Sequence, residues 1–147
     1  QTYIEYASPS AVPALMTELI NDVNSIDTGI VAEENAHRFY AKIHMGFVHI
    51  HPFWDGNGRL ARLLANIPLL KAGLPPLMIP LENRRNYIEI LADYQVAIGQ
   101  LNKNTGLWPD KSKLQPFDDF CQSAYQNTKQ IIETARAIKN RRDSTTT

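Results

Sequence analysis

Apolar residues recur at spacings of three and four along most of this chain, which limits it to a packing of helix upon helix. Val12, Leu15, Met16, Leu19, Ile20 and Val23 form one stripe, and Ala36, Phe39, Tyr40, Ile43, Phe47 and Ile50 a second. Leu60, Leu63, Leu64 and Ile67 follow, then Tyr87, Ile90, Leu91, Tyr94, Ile98 and Leu101. A last stripe reads Phe117, Phe120, Ala124, Tyr125, Thr128, Ile131, Ile132, Ala135 and Ile138. Each set falls on one face of an α-helix. Strand-like alternation is nearly absent, so the expected class is all-α. The weak alternation of Thr2, Ile4 and Tyr6 is the one candidate strand.

Punctuation sharpens the element boundaries. Ser8 and Pro9 suit an N-cap and first helical position. The third stripe predicts a helix over 58–71, bent by Pro68 and stopped at Gly73. Residues 74–81 hold three prolines and read as an extended connector. Residues 102–113 read as a polar loop around Trp108-Pro109, and the final helix is expected over 114–139. The tail at 141–147 has nothing to bury and is expected to be disordered.

At 147 residues the chain is one domain's worth, expected over 1–140 with a core at 9–102. A chain of this length buries about 68–70% of its unfolded surface, so it needs no disulfide or structural metal. The single cysteine, Cys121, cannot form an internal disulfide and reads as a small apolar helix residue. Fifteen basic residues balance fifteen acidic ones, which gives no field for general nucleic-acid binding. No apolar run approaches the ~18 residues of a membrane helix. Without a visible signal peptide the default setting is cytoplasmic, although secreted effectors also lack such signals.

The chemistry concentrates in His51-Pro52-Phe53-Trp54-Asp55-Gly56-Asn57-Gly58-Arg59, with Arg62 one turn on. The glycines permit a tight turn and close approach of backbone to ligand. A helix starting near Gly58 offers free N–H groups and the positive end of its dipole to an anion. Arg59 and Arg62 share one face of it, and a guanidinium can give phosphate two parallel charged hydrogen bonds. Asp55 alone suffices for magnesium, which is commonly held by one or two carboxylates plus substrate phosphates. His51 has the side chain whose ordinary pKa suits a base near neutral pH.

This segment resembles the signature of the Fic family, HPFx(D/E)GN(G/K)RxxR, at every fixed position. A weaker resemblance spans roughly residues 2–102. It implies a mostly helical bundle around a helix-loop-helix active site and transfer of AMP from ATP to a serine, threonine or tyrosine hydroxyl of a target protein. On that carry-over His51 deprotonates the hydroxyl and Asp55 holds Mg2+. Gly56, Asn57 and Gly58 form the anion hole, Arg59 and Arg62 bind the distal phosphates, and Phe53 anchors the loop in the core. In similar proteins the helix after the motif offers aromatic and amide groups to adenosine, here Tyr87 and Gln95. In similar proteins a β-hairpin flap also precedes the first helix and docks the target by strand addition. Only part of it, residues 2–8, is expected here, so the chain is expected to be a fragment of a longer protein.

Other readings stay open. The same scaffold moves UMP, phosphocholine or, in relatives similar to Doc, phosphate. Those last carry Lys where Gly58 stands, so Gly58 favours AMP. Removal of AMP uses a glutamate from an inhibitory [S/T]xxxE[G/N] helix, and no such motif occurs in 1–147. Either a missing segment or a separate inhibitory partner supplies it, or the enzyme is unregulated. A non-enzymatic binding domain is the remaining alternative. Gly56 to Ala61 also fits G-x-G-x-x-A, but no βαβ pattern surrounds it. His37, His44, His49 and His51 lack the HExxH or paired-cysteine context of zinc sites. Arg84-Arg85 stands at a helix start, where positive charge is unfavourable, and is as readily solvated as functional. The oligomeric state is not encoded in any of these features.

Overall fold

The computed structural model describes residues 3–145. All their regular structure is helical: α1 (Val12–Asn24), α2 (Ala36–Ile50), α3 (Asn57–Ala65), α4 (Ile67–Lys71), α5 (Arg84–Ile98) and α6 (Gln115–Thr145), joined by loops and short 3-10 turns. Twelve of the fifteen residues of α2 are buried. A helix buried on most of its surface belongs at the centre of a core, and α1, α3, α4 and α6 all pack on this one. Leu15, Tyr40, Phe47, Ile50, Leu69, Phe117 and Tyr125 are fully enclosed there.

Two part-buried tethers hold the loops to the bundle. His49, at the end of α2, bonds through Nε2 to the Gly99 carbonyl (3.0 Å), which caps α5. The Trp108 indole N–H donates to Asp22 (2.9 Å), so the polar loop folds back on α1, with Lys42 over the indole ring.

Several expectations need correction. The motif helix is two helices, broken at Asn66. Pro68 cannot donate to its preceding turn. Asn66 turns its amide to the connector instead: Oδ1 accepts from Leu77 N–H (2.7 Å), and Nδ2 donates to Leu77 O (3.1 Å). Gly73, at φ 75°, ends α4 with paired bonds from Leu74 N–H to Leu69 O (2.9 Å) and Gly73 N–H to Leu70 O (3.0 Å). The first helix opens as a 3-10 turn, Pro9–Ala11, in which Ser8 accepts through its carbonyl and not its hydroxyl.

No strand forms among the described residues. A lone strand has no backbone partner. Here Ala7 N–H donates to His49 O (3.3 Å) and Ser8 N–H to Leu101 O (2.9 Å). Residues 141–145, expected to be disordered, extend α6, because helix propagates readily from a packed segment. Gln1, Thr2 of the expected flap region, and Thr146 and Thr147 of the tail lie outside the described residues. Among the described residues no helix is long and apolar enough to cross a membrane.

Candidate active site

The chain reverses sharply at the end of α2, and His51 occupies the turn. Its backbone is left-handed (φ 54°, ψ 56°), and its N–H bonds Phe47 O (3.0 Å). A β-carbon in that region is strained, and such strain gathers where a side chain must be aimed. The imidazole stacks on Tyr6, with centroids 3.8 Å apart. Nδ1 lies 3.3 Å from Val48 O. A carbonyl only accepts, so Nδ1 carries the proton and Nε2 keeps a lone pair.

The loop after His51 is held by Asn57, which is 3% exposed. Its Oδ1 accepts from Phe53 N–H (3.0 Å) and its Nδ2 donates to Phe53 O (2.6 Å). The Phe53 residue, expected to anchor the loop in the core, is instead half exposed, and its ring lies against Phe47 of the core with centroids 6.3 Å apart. The anchor is thus a side-chain amide on backbone, of the kind asparagine readily makes. Gly56, at φ 83°, turns the chain into α3, whose first turn has no side-chain cap. The N–H groups there remain available to an anion.

These elements wall a pocket of about 510 Å³. It brings together His51, Asp55, Gly56, Asn57, Gly58, Arg59 and Arg62 with Trp54, Arg84 and Tyr87, closed by Ile79, Pro80 and Leu81 of the connector. Asp55 is exposed and pairs with Arg59 (3.1 Å). An exposed pair of this kind is worth little and is readily exchanged for ligand contacts. Among the described residues no carboxylate is ion-paired with Arg62.

Arg84 and Arg85 separate. Arg84 lines the pocket, whereas Arg85 pairs with Glu89 (2.9 Å) along α5. Tyr87 and Gln95 are both buried. The Tyr87 hydroxyl lies 2.9 Å from His44 Nε2. Gln95 stands outside the main pocket and donates to Val48 O (3.3 Å), the carbonyl that also receives His51 Nδ1. Sequence reasoning did not find the stacking of Tyr6 on His51 or the Asn57 clamp. The asparagine between two glycines was the one local signal of the latter.

Burial pushes the His44 imidazole down to about 3, with Arg62 nearby adding to the shift. It raises the Tyr87 phenol, an effect Arg62 opposes. His37, on the far side of α2, is held below its usual value by burial despite Asp118 at 3.5 Å. Cys121 is buried, and its thiol is raised well above the usual value by burial.

Comparison with known proteins agrees with this geometry. The Fic/DOC family model matches residues 1–69. A protein adenylyltransferase Fic from Nematostella vectensis is 38% identical over 84 residues, 54% of this chain and 20% of that protein. One from Drosophila grimshawi is 40% identical over 83 residues, 56% of this chain and 17% of that protein. The chain therefore spans about a fifth of the length of the curated relatives it matches. Among solved structures, a Fic domain containing signaling protein from Bacteroides thetaiotaomicron superposes with a TM-score of 0.68 at 36% identity, covering 83% of this chain and 44% of that one. With the motif folded into one pocket, these likenesses relate the chain to the Fic/DOC family, whose model matches its residues 1–69.

Proposed function

We propose that this chain transfers AMP from magnesium-bound ATP to a hydroxyl side chain of a protein. The observation that carries the reading is the convergence, in one pocket, of a histidine with a free Nε2, an uncapped helix N-terminus and three arginines. The relatives named protein adenylyltransferase Fic support the same reaction class.

In this reading the triphosphate lies along the first turn of α3. The N–H groups there, with Arg59, Arg62 and Arg84, neutralise its charge. His51 Nε2 accepts the proton of the incoming serine, threonine or tyrosine hydroxyl. The hydroxyl oxygen forms a bond to the α-phosphorus as the bond to the β-phosphate bridging oxygen breaks, and pyrophosphate leaves. A base of this kind contributes about 10²–10⁴ in rate, and the remainder comes from positioning and charge stabilisation. Asp55 fits as the protein ligand of magnesium, because its carboxylate is exposed at the pocket and tied only to Arg59. When bound, the ion would offset phosphate charge and orient the pyrophosphate.

The test is mass spectrometry of a lysate incubated with the protein, ATP and magnesium. The expected product is an AMP adduct on a hydroxyl side chain. A UMP, phosphocholine or phosphate adduct would assign a different transfer, and loss of pre-existing AMP would assign removal.

A further inference from the structure

We propose that Tyr6 is a positioning residue for His51. Its ring holds the imidazole in the plane that keeps Nδ1 on Val48 O and leaves Nε2 free for the incoming hydroxyl. The proposal deepens the reading of His51 as the base and rests on it. The left-handed backbone at His51 sets where its β-carbon points and says nothing about rotation of the ring. That last torsion of a histidine is broad, so rotamer preference does not fix it either. Something outside the residue must do so.

The hydrogen bond at Nδ1 is not enough. In a continuing helix Val48 O would accept from the N–H of residue 52, but Pro52 has none. The carbonyl is thus left to side chains, and two of them use it. His51 Nδ1 and Gln95 Nε2 each lie 3.3 Å away. Such bonds usually span about 2.7–3.2 Å, so this one is long as well as shared.

Tyr6 supplies the missing constraint. Its ring lies 3.8 Å from the imidazole between centroids, with the planes 20° apart. A stack in this geometry limits the imidazole to two orientations related by a half-turn, and the bond to Val48 O selects one of them. The stack covers a face of the imidazole. The Nε2 lone pair lies at the ring edge, in the plane, and stays open. The chain just after Tyr6 is tied down, with Ala7 N–H on His49 O (3.3 Å) and Ser8 N–H on Leu101 O (2.9 Å). Tyr6 itself is 37% exposed, so filling the core is not what this ring does. It also lines a recess beside His51 with Ile4, Leu91 and Gln95, which gives it a rival role as a wall for the nucleotide.

Steady-state transfer separates the two roles. Incorporation of AMP from α-labelled ATP into lysate protein is followed against ATP concentration in wild type, Tyr6→Phe and Tyr6→Ala. Tyr6→Ala is expected to lose about ten- to a hundredfold in rate at saturating ATP, with the apparent KM for ATP unchanged. Tyr6→Phe keeps the stacking ring and is expected to restore the rate. A raised KM at an unchanged saturated rate assigns Tyr6 to the nucleotide wall and overturns the proposal. So does a Tyr6→Phe variant as slow as Tyr6→Ala.

A second readout needs no nucleotide. The ring-nitrogen resonances of neutral His51 should show a single tautomer, protonated at Nδ1, in wild type and Tyr6→Phe. In Tyr6→Ala they should show a mixture of tautomers. An unchanged tautomer in Tyr6→Ala overturns the proposal. A wild type with the single tautomer that transfers no AMP defeats the proposed function instead and leaves the positioning of the imidazole standing. Tyr6→Leu keeps apolar bulk without the flat face, and serves if Tyr6→Ala fails to fold. It is expected to be slow with a mixed tautomer, and wild-type behaviour in it overturns the proposal.

Discussion

The left-handed backbone at His51 costs a residue with a β-carbon about 1–2 kcal/mol, a cost that glycine escapes. Two substitutions therefore separate aim from stability. Both His51→Ala and His51→Gly should lose transfer by about 10²–10⁴, since both lack the base. His51→Gly should nonetheless be the more stable of the two by about 1 kcal/mol in urea unfolding. ATP affinity should change little in either, because the arginines and the first turn of α3 are intact. Transfer retained by either variant would remove His51 as the base. Asp55 presents a different exchange. It holds Arg59 at 3.1 Å, and in the proposed complex both side chains change partners. Asp55→Ala should therefore weaken magnesium-ATP while leaving metal-free ATP unchanged or slightly tighter, since Arg59 is released. Calorimetry with and without magnesium decides it. An equal loss in both would make Asp55 a structural residue.

Helix α2 tolerates no extra bulk at Gly46. A β-carbon there would lie 3.0 Å from the Trp108 ring and 3.1 Å from Leu19. Trp108 cannot easily retreat, being tied to Asp22. Overpacking typically costs about 1–3 kcal/mol, against a helix-propensity gain of about 1 for alanine. Gly46→Ala should thus lower stability by roughly 1 kcal/mol, read as an earlier urea midpoint at unchanged slope. A later midpoint would show that the indole yields. Which features the sequence displayed follows the same division between local and distant causes. The helical stripes are local, so the helices stand near their expected places, and the motif signals are local, so residues 51–62 meet at one pocket. The break at Asn66 depends on Leu77, eleven residues on. Tyr87 is buried through His44, forty-three residues away. The half-exposed Phe53 defeats the rule that large apolar residues lie inside, because Asn57 already fixes the loop. No periodicity reports such pairings.

A core that encloses His37, His44 and His49 ties the stability of the whole molecule to pH. Each lies below its usual value mainly through burial, His44 at about 3. In the unfolded chain each titrates near 6.5. Below that pH the unfolded state gains protons that the folded state does not, so stability is fully present above about 6.5 and falls as pH drops towards the folded values. One such histidine contributes a slope of about 1.4 kcal/mol per pH unit over its window. Asp118, raised by burial, works the other way just above 3.8, where its folded carboxyl holds a proton the unfolded one releases. The depressed carboxylates Asp22 and Asp110 add their losses only below 3.8. The histidines therefore dominate between about 6.5 and 4. Urea midpoints measured across that range should fall steadily in wild type. His44→Leu removes one of the protons taken up on unfolding, so its curve should be shallower by about 1.4 kcal/mol per pH unit while its stability at pH 7 changes less. A variant curve parallel to wild type would mean that His44 takes up its proton without unfolding.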